Sequence, residues 1–113
     1  MRRDFKENGI MYSDGEGDNQ PSGLNRATMS HIIKAVSAMG GGIVKMVRFY
    51  SKHGEIYMRV YSTNPINIAG NGFSMVGGFR NTFSQDVDHT TMRRAQRLPS
   101  AIYKIDEEWL PGR

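Results

Sequence analysis

The stretch that most constrains this chain is "RFYSKHGEIYMRVY", residues 48–61. Residues 43–51 and 55–63 alternate along their length and are rich in β-branched and aromatic side chains, which fit a pleated sheet. Between them His53-Gly54 serves as a two-residue turn, or Lys52-His53-Gly54 as a three-residue one. The two-residue turn sets Tyr50 opposite Tyr57, Arg48 opposite Arg59 and Met46 opposite Tyr61. On the other face it pairs Phe49 with Met58 and Val47 with Val60. A bulge would shift the opposition but leave the faces of each strand intact. The expectation is a hairpin over about 43–62 with one apolar face and one aromatic, cationic face.

Upstream, Met29, Ile32, Ile33, Val36 and Met39 recur at the spacing of one face of an α-helix, predicted over about 25–39. Asn25 or Ser22 caps its start, and Gly40 suits the left-handed residue beyond its end. Such a stripe most simply lies on a sheet. A short strand is expected at 10–12, followed by a mobile polar loop over 13–23, "SDGEGDNQPSG". Past Pro65 the pattern loosens. Residues 66–83 supply one or two strands or a glycine-rich loop. Asp88 caps a short helix, about 89–97, with Met92, Ala95 and Leu98 facing inward before Pro99 ends it. Residues 101–105 read as a last strand, and 106–113 as an acidic C-terminal tail with Trp109 tucked onto the body. The fold class is therefore α+β, a mainly antiparallel sheet with helices on one face, in one small domain spanning 1–113.

The chain holds 15 basic and 11 acidic residues, and their distribution matters more than the net +4. Residues 1–21 carry a net −2, residues 22–81 a net +6 and residues 82–113 zero. The excess lies where the hairpin lies, and a local basic field favours polyanions. With no cysteine, disulfides, thiolate metal sites and a cysteine nucleophile are excluded. No apolar run suits a signal peptide or a membrane span, so the expected protein is soluble and cytoplasmic, without membrane contact.

Two arginines directly opposite each other repel by about 0.2–1 kcal/mol. The arrangement becomes favourable with a phosphate or carboxylate between them. Tyrosines alongside can stack on unpaired bases. The leading expectation is thus a non-enzymatic protein that binds RNA or single-stranded DNA. Lys45, Lys52, Arg48 and Arg59 would meet phosphate, Tyr50, Tyr57 and Tyr61 would stack, and Arg93 and Arg97, one helical turn apart, would extend the track. Arg94 adjoins them, and the backbone amides at Thr90 and Thr91 offer further donors, against Asp86 and Asp88 just upstream. The opposing reading is structural: arginine stems cover rings on any sheet, and helix 89–97 could cover this face and take the tyrosines into the core.

A second class is an inhibitor or regulator that docks the same Arg/Tyr face on an acidic protein surface. A third is a small nuclease with His53 or His89 as general base and Arg48 or Arg59 on the phosphate. No cofactor or metal is implied. "GNGFSMVGG" lacks the third glycine of a dinucleotide loop and any GK[ST]. "DGEGDN" lacks the glycine and glutamate of a calcium loop. An open strand edge would allow a homo-oligomer.

Overall fold

The hairpin forms in the register that a two-residue turn demands. Strands β3, Val44–Lys52, and β4, Glu55–Ser62, pair antiparallel with Tyr50 against Tyr57, Arg48 against Arg59 and Phe49 against Met58. His53 and Gly54 both take positive φ, 52° and 78°, the turn whose twist matches the strands it joins. A bulge between Val44 and Met46 breaks the strict alternation at the start of β3.

The computed structural model describes residues 4–80 and 88–111. Helix α1, Arg26–Gly40, begins at Asn25, whose side chain accepts a hydrogen bond from the Thr28 amide at 2.8 Å. The left-handed residue after it is Gly41 (φ 61°) rather than Gly40. Gly40 serves instead to let two elements meet. A Cβ there would lie 2.6 Å from the Val44 side chain, so the helix end reaches β3 only because glycine stands at the crossing. Met29, Ile32, Ile33 and Val36 bury against Val47, Phe49, Met58 and Val60, the apolar face of the hairpin.

Four further strands complete the sheet: β1, Asp4–Glu7; β2, Ile10–Asp14; β5, Phe73–Arg80; and β6, Ser100–Ile105. The order is β1-β2-β3-β4-β6-β5. All neighbours are antiparallel except β2 and β3, which run parallel because α1 connects them. Strand β1 exists through Asn8-Gly9, another pair with positive φ, which folds it back onto β2. Beyond β6, a 3-10 turn at Glu107–Trp109 brings Trp109 flat onto Phe73, with ring centroids 5.0 Å apart.

The short helix expected over 89–97 is α2, Met92–Ala95. Thr91 caps it, accepting from the Arg94 amide. Asp88 is occupied otherwise: it accepts from the Thr90 amide and hydroxyl and pairs with Arg94 at 2.7 Å. Asp86 lies outside the described residues. Ala95 and Leu98 pack on Met46 and Tyr61, which belong to the face opposite α1. The two helices therefore sit on opposite faces of the sheet, not together on one.

Candidate polyanion-binding surface

The aromatic, cationic face of the hairpin is assembled as the alternation requires, but it is mostly covered. Two elements cover it. Helix α2 closes the end at Met46 and Tyr61, leaving Tyr61 4 % exposed. The segment after β2 crosses the opposite end, where the Ser51 amide donates to the Gln20 carbonyl. Asp14 ties that segment down by accepting from the Ser22 amide and hydroxyl and the Gly23 amide. From it Glu16 reaches Arg59, with Oε1 3.4 Å from Nε. Arg59 also donates to the Ser100 hydroxyl at 3.0 Å.

These contacts correct the open stacking platform read from the sequence. Tyr50 is buried and lies parallel to the half-buried Tyr57, with ring centroids 5.4 Å apart. Each ring covers one face of the other. Burial and the nearby Glu16 carboxylate push the Tyr50 phenol above its ordinary range, so it stays neutral at physiological pH. Of the expected phosphate contacts, Arg59 is already engaged by Glu16 and Ser100, although its Nε, like that of Arg48, makes no hydrogen bond among the described residues. Lys52 is exposed at the far end of β3, next to the hairpin turn.

Arg48 differs from Arg59, its cross-strand partner, in forming no ion pair among the described residues. It is 9 % exposed, and its Nε has no hydrogen-bond partner among the described residues. It lines a cavity of about 290 Å³ with Asp4, Met92, Arg93 and Gln96. Arg93 and Gln96 also border a neighbouring groove, completed by Asp88, Arg94 and Arg97. A third depression on this side gathers Lys6, Gly9, Met11, Lys45, His89 and Thr90. Lys45 gets there through the bulge: strict alternation would place it with Val47, whereas the extra residue turns it toward α2.

The structure thus draws Lys45, Arg48, Arg93 and Arg97 around α2 and adds Lys6, Arg94 and Gln96, while Tyr50, Tyr57 and Lys52 lie toward the other end of the hairpin. The Thr90 amide, one donor expected for an anion, is taken by Asp88. Hydrogen bonds from Thr90, backbone first, hold the Asp88 carboxyl below its usual pKa range. The two histidines offered as alternative general bases lie at different ends of the hairpin. His53 is at the hairpin tip and His89 beside Lys45, separated along β3 by about 26 Å at roughly 3.3 Å per residue.

Among the described residues no helix is long and apolar enough to cross a membrane, and no three His, Asp or Glu side chains are gathered to hold a metal ion. No family model, curated protein or solved structure matches the chain.

Proposed function

We propose that this protein binds nucleic acid by its phosphate backbone, through the basic surface around α2, and not by stacking bases on tyrosines. The observation that supports this reading is the convergence of Lys6, Lys45, Arg48, Arg93, Arg94 and Arg97 on three depressions, against Asp4 and the Arg94-paired Asp88 among the described lining residues. Exposed lysines and arginines neutralise phosphate without reading sequence, so the expected binding is strong at low salt and tolerant of sequence. Burial of Tyr50 and Tyr61 removes the main basis for preferring single strands. Single-stranded and duplex ligands should therefore bind with comparable affinity.

The test is a fluorescence-anisotropy titration of labelled oligonucleotides with the Arg93→Ala/Arg97→Ala double variant. These side chains are exposed, so the fold should survive the change. The variant should bind about tenfold or more weakly, roughly 1.4 kcal/mol per decade. Unchanged affinity would remove α2 from the interface. A stoichiometric complex with an acidic protein that survives nuclease treatment would favour the inhibitor reading over this one.

A further inference from the structure

We infer that the cavity beneath α2 is a seat for a single phosphate group, with Arg48 as its buried anchor. The inference rests on the nucleic-acid reading for its natural ligand, but the site can be tested without nucleic acid.

Burying Arg48 carries a cost. A guanidinium has five donors and is rarely buried unless they are used. Arg48 is nine-tenths buried, has Nε unpartnered and forms no ion pair among the described residues. Directly across the sheet stands Arg59, a second cation, so the local field adds to the penalty. Arg59 also has an Nε without a hydrogen bond, but its charge is met by the Glu16 carboxylate and one terminal nitrogen by the Ser100 hydroxyl. Arg48 has no such relief from the described protein groups, and it opens on a cavity of about 290 Å³, the space of several waters at roughly 30 Å³ each.

The lining specifies the ligand. Arg93 brings a second guanidinium and Gln96 an amide, giving donors from two elements around one space. Guanidinium forks match the oxygen geometry of phosphate. Met92 supplies an apolar wall. Asp4, on β1, is the one acidic group among the described lining residues, so it should weaken phosphate binding. The site therefore has an unusual signature: loss of a positive charge at position 48 weakens binding, and loss of a negative charge at position 4 strengthens it.

The experiment follows the Arg48 Nε–H resonance by NMR while inorganic phosphate is titrated against sodium chloride at matched ionic strength. Phosphate should shift this resonance saturably, with a dissociation constant on the order of 1 mM. Arg48→Met should weaken phosphate binding at least tenfold, read from the remaining backbone resonances. Asp4→Asn should tighten it severalfold. Circular dichroism of each variant separates lost binding from lost folding. A resonance that responds equally to chloride, or Asp4→Asn binding more weakly, would overturn the inference.

Oligonucleotides with and without a 5′-phosphate distinguish the source. Equal loss of affinity for both on Arg48→Met makes the ligand a backbone diester. Loss confined to the phosphorylated strand makes it a terminal monoester. Either supports the site. Saturable phosphate binding without oligonucleotide binding would keep the phosphate seat and defeat the proposed function. Oligonucleotide binding that ignores Arg48→Met would do the reverse.

Discussion

Arg48→Met also tests the energetics behind the site, because the same substitution should make the unliganded protein more stable. An unsatisfied buried donor costs about 1–3 kcal/mol, and a like charge directly opposite adds about 0.2–1 kcal/mol. Arg48 has both features, with its Nε unpartnered and Arg59 as its Cα partner. Methionine keeps an unbranched apolar stem of similar reach, so it retains much of the packing against Met92 while removing the charge. The expected gain is about 1–3 kcal/mol in chloride buffer, or roughly 4 °C or more in Tm per kcal/mol. Urea unfolding, followed by circular dichroism and by Trp109 fluorescence, would measure it. Phosphate should narrow the gap. At ten times its dissociation constant a ligand stabilises the folded state by about 1.4 kcal/mol, whereas a variant that binds at least tenfold more weakly gains no more than about 0.4 kcal/mol at the same concentration. A variant less stable than wild type by about 1 kcal/mol or more in chloride would refute the reasoning, since Arg48 would then be a satisfied strut.

Three other perturbations follow from the packing. Glu16→Ala leaves Arg59 without its carboxylate in a site where both side chains are less than a fifth exposed; it should cost about 1–3 kcal/mol, with a double-mutant cycle against Arg59→Met isolating the coupling. Gly72→Ala should cost about 1–3 kcal/mol and shift Trp109 emission, because Gly72 has φ +90° and a Cβ would strike Trp109 Nε1. Alkali should destabilise the fold: burial raises Tyr50 and Tyr103 above the ordinary value of 10.0, so unfolded tyrosines lose their protons first. That stability is fully present below about pH 10 and lost as pH rises from there through the folded values; Tyr50→Phe should flatten the decline in urea midpoints.

The hairpin was legible because two signals agreed. Alternation set the faces and His53-Gly54 set the register, down to Arg48 against Arg59. Helix α1 was legible for a similar reason, with a stripe and a cap at Asn25. Strand β1 carried a readable sign as well: Asn8-Gly9 is the strongest short hairpin signal, but DFKE is too short for its alternation to stand out. The placement of β6 between β4 and β5 could not be read, because no local pattern records which distant strand inserts where. Coverage of the Arg/Tyr face was hidden for the same reason. Met92, Ala95 and Leu98 announce an inward side for the short helix, but not which sheet face receives it. Glu16 sits in a polar loop whose sequence says nothing of Arg59. Lys45 was named among the phosphate contacts, but it reaches that side through a bulge residue, which alternation cannot foresee.

The central claim, phosphate-led binding at α2, is tested most directly by the salt dependence of nucleic-acid affinity. Anisotropy titrations with a single strand and a duplex of the same length, each across a salt series, give the slope of log K against log salt. Three or four neutralised phosphates predict about −3 to −4 for duplex and about −2 to −3 for single strand, with both slopes shallower in Arg93→Ala/Arg97→Ala and unmoved by Tyr57→Ala. Absence of binding at low salt would contradict the account. So would single-strand binding that barely changes with salt and is lost in Tyr57→Ala.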